Sequence, residues 1–210
     1  EEIEKALALM HRHGVEVVGA GRTDSGVHAE RQTAHFHTDI RSIPADRFRL
    51  ALNKLLPPDI RVLESREVES GFHARYDARL RRYRYFVETA RECQPWRSRY
   101  AWHIHRRLDI PRLNSMASAL IGELDFTAFS CAQDPSENRS RFVYGASWRY
   151  EGSLAVFEIS ANAFLWRMVR SLVGSMVEYE REGKDGVWMR EVLASRDRSL
   201  AGATAPSTTA

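Results

Sequence analysis

A chain of 210 residues that is 43% hydrophobic can bury a substantial core, as one domain or two small ones. It has no apolar run near the ~18 residues of a membrane-crossing helix. Its two cysteines, Cys93 and Cys131, make no C-x-x-C pair, which fits a reduced, cytoplasmic protein without structural disulfides. The formal net charge of +3 is unevenly spread: residues 75–107 hold 10 arginines against 3 acids, while the blocks on either side are each net −2. Of the 31 basic residues 28 are Arg, a ratio that codon bias explains as readily as phosphate binding does. The clustering is harder to assign to codon bias, and it points to a polyanionic partner.

Taken in order, Ile3, Ala6, Leu7 and Met10 recur at helical spacing, predicting a helix over 2–12 ended by Gly14. VEVVGA (15–20) reads as a strand entering a glycine-bounded loop, GAGRTDSG, and QTAHFHT (32–38) as the next strand. Pro44-Ala45-Asp46 opens a helix carrying Phe48, Leu52 and Leu56, stopped by Pro57-Pro58. IRVLESREV (60–68) reads as a further strand. RRYRYFVE (81–88) alternates Arg and Tyr at period two, giving a strand with Tyr83 and Tyr85 on one face and Arg82 and Arg84 on the other. Asp109 caps an expected helix reaching Ile121, closed by Gly122. FVYGASWRYEG and LAVFEIS flank a hairpin turn at Glu151-Gly152. A long helix is expected from about 163 to 180 and a shorter one near 187–194, before a small, polar tail, AGATAPSTTA, expected to fray. No Gly- or Ser-rich linker divides the chain, so two α+β halves sharing one sheet are expected.

Four constellations are candidates for chemistry. Asp24 stands at a loop tip, a poor place for a core residue and a good one for a reacting residue. GAGRTD lacks the third glycine of G-x-G-x-x-G, and no G-K-[ST] follows, so it is no nucleotide cradle. Asp24-Ser25-Gly26 matches the D-[ST]-G of aspartic proteases, which need two such loops; one loop per chain would require a symmetric dimer. The plainer alternative is an Asx-turn that only holds the loop. His-x-His occurs at His11/His13, His35/His37 and His103/His105, without a third ligand at metal spacing, so no metal site is assigned. The Arg/Tyr strand, with Arg75, Arg79 and Arg81 upstream, suits unstacked bases beside phosphates; it suits equally an edge strand whose tyrosines face the core. Arg170 lies among apolar residues of the long helix, where a guanidinium needs a partner. Asp24 is the partner expected, snorkelling to solvent the alternative.

Together these pieces resemble the bacterial tRNA pseudouridine synthase A family. The likeness rests on five blocks in the family's order: GAGRTDSGVHA (19–29), ALNKLLPPDI (51–60), FHARYDARLRRYRY (72–85), GELDFTAFS (122–130) and NAFLWRMVRSLVG (162–174). Ser25 stands where alanine is common. The family's opening strand is absent, and after TAP (204–206) the family runs on into a final strand, so the chain reads as truncated at both ends.

The resemblance implies the pseudouridine synthase α+β fold: two ferredoxin-like, RRM-like halves, residues 1–71 and 72–210, whose mixed sheets merge. It implies isomerisation of uridine to pseudouridine at positions 38–40 of the tRNA anticodon stem-loop, by a homodimer, without metal or nucleotide cofactor. Asp24 matches the catalytic aspartate, Tyr83 the tyrosine on the target base, Arg170 the aspartate's arginine partner and Arg22 a loop arginine that handles the flipped nucleotide. Arg75, Arg79, Arg81, Arg82 and Arg84 are then candidates for the RNA backbone. The competing expectations are a non-catalytic RNA-binding module, the dimeric protease, and a relative from the eukaryotic branch with other target positions.

Overall fold

The computed structural model describes residues 1–21, 23–24 and 26–207. Two compact units emerge, one of Glu1–Thr23 with His28–Ala78 and one of Asp24–Val27 with Arg79–Ala210, so the tip of the Asp24 loop packs with the second unit. Helices and a mixed sheet in the same chain make the class α+β, as expected.

In the first unit, α1 (Glu2–His11) turns left-handed at Arg12, two residues before the expected Gly14. Its Ala6 and Leu7 pack with Val15 and with Phe48, Leu52 and Leu56 around α2 (Phe48–Leu55). Leu56 is extended because Pro57 follows, and there the helix stops. The strands are shorter than their sequences suggest: β1 (Val18–Gly19) and β2 (Ala34–His35) form an antiparallel two-residue ladder. Residues 60–68 form no strand, contrary to expectation. The Asn53 side chain satisfies Val62 instead, accepting from its N–H and donating to its carbonyl, both at 2.8 Å. A side-chain amide thus replaces a neighbouring strand.

The second unit is a five-stranded sheet in the order β4-β3-β7-β6-β5. The strands are β3 (Arg81–Glu88), β4 (Trp102–His103), β5 (Gly122–Asp125), β6 (Ser140–Glu151) and β7 (Leu154–Ala161). β3 has the bounds its Arg/Tyr alternation predicts, and Gly152 at φ 65° closes the β6–β7 hairpin. Period-two alternation sends one row, Tyr85–Phe157–Trp148, into the core, with Val87, Ile159 and Ala161 on the same face. Arg82 and Arg84 remain exposed on the other. The core is completed by α3 (Ile110–Ser118), α4 (Met168–Glu180) and α5 (Gly186–Ser195). Asp109 caps α3 as expected, accepting from the Arg112 N–H at 3.1 Å. The helix nevertheless ends at Ser118, and Gly122 at φ 106° begins β5 instead of closing the helix.

Two further departures bear on the site. The long helix starts at Met168, five residues later than expected, because Arg167 takes a left-handed φ of 60°. Ahead of it, Asn162 Oδ1 accepts from the Ala163 and Phe142 N–H groups, and the Asp134 carboxylate accepts from the Trp166 N–H. Residues 201–206 of the tail expected to fray are in fact a strap along α4, and residues 208–210 lie outside the described residues. Gly202 N–H donates to Ser175 Oγ at 3.0 Å, Ala203 N–H to Glu178 Oε2 at 2.9 Å and Ala205 N–H to the Arg170 carbonyl at 3.0 Å. The small residues that looked disorder-prone let backbone meet backbone, because a Cβ at Gly174 would overlap the Ala203 carbonyl.

Candidate active site

The delayed start of α4 leaves residues 162–167 irregular and aims Trp166 and Arg170 at one point. The indole Nε1–H of Trp166 donates to Asp24 Oδ1 at 2.9 Å, and Arg170 Nη1 stands 3.4 Å from Asp24 Oδ2. Each carboxylate oxygen is therefore held by a different donor. The Arg170 and Asp24 side chains are 20% and 27% exposed, so the pair is partly shielded yet open to a ligand. Arg170 is fixed from its other side, its Nε–H donating to the Ala205 carbonyl at 2.8 Å. The strap that accepts this bond also accepts the Tyr85 hydroxyl at Pro206 O, 2.6 Å away. A guanidinium gripped by backbone loses little entropy when it holds a carboxylate.

Tyr83 lies two residues before Tyr85 on the same face of β3, half-buried at the edge of the core. Its ring meets Phe164 edge to face, centroids 4.9 Å apart at 80°. Burial, and then the negative charge of Asp24, push the Tyr83 hydroxyl above its ordinary value, with Arg81 acting against them. The phenol is thus neutral at physiological pH and senses the Asp24 charge. Burial likewise raises the Tyr85 hydroxyl, opposed by Arg170.

Asp24, Tyr83 and Arg170 therefore converge, whereas Arg22 and Ser25 lie outside the described residues. The basic candidates are more dispersed. Arg79, Arg82 and Arg84 are exposed in the second unit, with Arg82 Nε 3.9 Å from Glu158. Arg81 donates to the Asn162 carbonyl at 2.6 Å and so helps hold the segment leading to Trp166. Arg75 is exposed in the first unit, where its N–H donates to His73 Nδ1 at 3.2 Å. Part of the basic block serves the fold. Arg97 pairs with buried Glu88 at 2.9 Å, and Arg106 with buried Glu180 at 2.6 Å. The His-x-His pairs are likewise engaged in structure: His11 bridges the Leu7 carbonyl and Thr38 Oγ1, and His103 bonds the Ala90 carbonyl. Among the described residues no three His, Cys, Asp or Glu side chains gather as a metal site.

Sequence reasoning missed Trp166. Within NAFLWRMVR it reads as one more apolar residue, and only its indole N–H on Asp24 Oδ1 sets it apart. Asp134 was missed as well. Buried, it holds the Trp166 backbone and accepts from Ser136 N–H at 2.8 Å. Burial alone would raise its carboxyl, but these hydrogen bonds and Arg139 lower it overall.

A single carboxylate is thus clamped between a guanidinium and an indole, with a neutral phenol in its field. The sequence model of a family described as tRNA pseudouridine synthase matches residues 1–77 and 116–210, and the chain belongs to that family. It is 47% identical to the tRNA pseudouridine synthase A of Treponema denticola over 205 residues, covering 98% of this chain and 76% of the relative. The tRNA pseudouridine synthase A of Treponema pallidum is 45% identical over 201 residues, covering 96% and 72%. That of Borreliella afzelii is 39% identical over 207 residues, covering 98% and 84%.

Proposed function

We propose that this chain isomerises uridine to pseudouridine in tRNA, at positions 38–40 of the anticodon stem-loop, with Asp24 as the reacting carboxylate. The observation that carries the reading is the clamped Asp24, held by Trp166 Nε1–H at 2.9 Å and by Arg170 at 3.4 Å, in a chain of the tRNA pseudouridine synthase family. The reaction breaks C1′–N1 and joins C1′ to C5; the C5 proton leaves and N1 gains one, so the net change is an isomerisation. Every route through an aspartate, whether addition to C1′, addition to C6 or removal of a ribose proton, needs one fixed carboxylate beside the glycosidic bond. Two donors on its oxygens orient it without reorganisation during the reaction. Tyr83 offers a neutral ring for the extruded uracil, and edge packing on Phe164 keeps that ring in place. Flipping the uridine costs a few kcal/mol, which exposed arginines such as Arg79, Arg82 and Arg84 offset at the phosphates. Arg22 completes the set as the arginine of the flipped nucleotide.

The same reading expects a homodimer in the cytoplasm, which sedimentation and cell fractionation test. Incubating unmodified tRNA with the chain, then digesting to nucleosides, should yield pseudouridine from the wild type and none from Asp24→Ala. Salt-dependent tRNA binding with no pseudouridine from either protein would leave only the RNA-binding module.

A further inference from the structure

Asp134, Pro135 and Ser136 form a turn held by the aspartate itself: its Oδ1 accepts from the Ser136 N–H at 2.8 Å, an Asx-turn. Its Oδ2 reaches away from that loop and accepts from the Trp166 N–H, 32 positions further along the chain. The same loop takes the other backbone group of Trp166, whose carbonyl accepts from the Cys131 N–H at 3.2 Å. The peptide groups of Trp166 are thus held from both sides by residues 131–134. The loop is anchored in turn. The Asp134 N–H donates to the Cys131 carbonyl at 3.0 Å, the Ser130 hydroxyl donates to the Thr127 carbonyl at 3.0 Å, and Phe129 is fully buried.

Two observations connect this hold to Asp24. Trp166 is exposed and lies outside the core, so little packing fixes its ring, and the place of its indole follows from its backbone. The next residue, Arg167, has a left-handed φ of 60°, a conformation that is costly with a side chain and persists only where neighbouring contacts impose it. Asp134 supplies such a contact from a site that is only 8% exposed. Burial opposes its charge, but the bonds from Trp166 and Ser136, with Arg139 nearby, hold its carboxyl below the ordinary value. An ionised acceptor grips an N–H about twice as strongly as a neutral one.

We propose that Asp134 is a positioning residue for the reaction at Asp24: by fixing the Trp166 backbone it sets the indole N–H on Asp24 Oδ1. The line of contact runs from the Asp134 carboxylate to the Trp166 peptide, through the indole, to the reacting oxygen pair. A buried carboxylate without a surface for RNA thereby governs the aim of an accessible one, and small errors of aim are expensive in rate. This inference rests on the RNA-directed reading above.

The test has two arms. In the first, the Trp166 indole ¹H–¹⁵N resonance, identified by its loss in Trp166→Phe, is read in the chain alone. It should move upfield in Asp134→Asn and in Asp24→Asn, and stay in place in Glu88→Gln, which alters another buried carboxylate that does not touch Trp166. In the second, single-turnover pseudouridine formation is measured beside tRNA affinity. Asp134→Asn keeps the shape and one acceptor but loses the charge, so the rate should fall roughly threefold, half the logarithmic effect of losing the indole bond. Asp134→Ala should approach a loss of about tenfold, with affinity within about twofold in both variants. Where Trp166 is already Phe, no indole N–H remains to be placed, and adding Asp134→Ala should cost less than about twofold more. If the alanine variant does not fold, Asp134→Asn takes its place in the double variant. An indole resonance unmoved in Asp134→Asn overturns the proposal, as does a further loss in the Trp166→Phe background as large as in the wild type. The first arm needs no tRNA, so it decides the placement of the indole even if the wild type forms no pseudouridine, a result that would overturn the RNA-directed reading instead.

Discussion

Replacing Trp166 by Phe removes one N–H and keeps an aromatic ring against Arg167. In the wild type that N–H donates to Asp24 Oδ1 at 2.9 Å, while Arg170 holds the other oxygen at 3.4 Å. Hydrogen bonds to charged groups contribute about 1.5–3 kcal/mol. The indole is 37% exposed, so water replaces part of the loss and the lower end applies, about 1.5 kcal/mol. If the bond orients the carboxylate for reaction, that loss appears as roughly a tenfold slower chemical step. The assay is single-turnover pseudouridine formation at saturating protein, beside tRNA affinity from filter binding. The rate should fall about tenfold with affinity within about twofold, because no RNA contact is removed. A rate within twofold of wild type in a folded Trp166→Phe protein would refute the orienting role. A loss confined to affinity would instead make Trp166 an RNA contact.

Two predictions concern the scaffold. Gly174→Ala forces a methyl into the Ala203 carbonyl; a cost of about 1–3 kcal/mol should appear as a lower urea midpoint, and loosening the strap that holds Arg170 should slow the reaction as well. Burial raises the carboxyls of Glu88 and Asp134, but bonds from Ser153, Ala90 and Arg97 to the first, and from Trp166 and Ser136 to the second, outweigh it and leave both below their ordinary values of 4.5 and 3.8. A carboxyl lowered on folding stabilises the native state above its unfolded value, and that contribution is lost as pH falls through the lowered folded value. Urea midpoints should therefore hold steady down to about pH 5 and fall below about pH 4, with a shallower fall in Glu88→Gln. An acid limb of equal steepness in that variant would contradict the assignment.

Where the sequence was legible, one local rule dominated. The Arg/Tyr alternation delimits β3 because a strand with one buried face must keep period two. Asp109 and the Glu151-Gly152 turn were readable for the same reason: capping and hairpin chemistry are written in adjacent residues. Arg170 could be paired with Asp24 across 146 positions because a guanidinium among apolar residues demands a partner. Reading failed where a distant group overrode the local pattern. Residues 60–68 alternate like a strand, yet the Asn53 amide satisfies Val62. Residues 163–167 have helical spacing, yet Asn162 and Asp134 capture their N–H groups and Arg167 turns left-handed. The AGATAP segment has only small side chains, with no periodic pattern to announce packing, and its order comes from backbone bonds to α4. Trp166 was hidden because one polar atom on an apolar residue leaves no periodic trace.

The account is tested most directly by Asp24→Asn, which keeps the shape of the side chain and removes its charge. With tRNA carrying tritium at uracil C5, wild-type protein should release the label as the new carbon–carbon bond forms. The amide variant should bind the same tRNA with affinity within a few-fold and release essentially none. Label released by Asp24→Asn at the wild-type rate would contradict the claim that this carboxylate carries the chemistry.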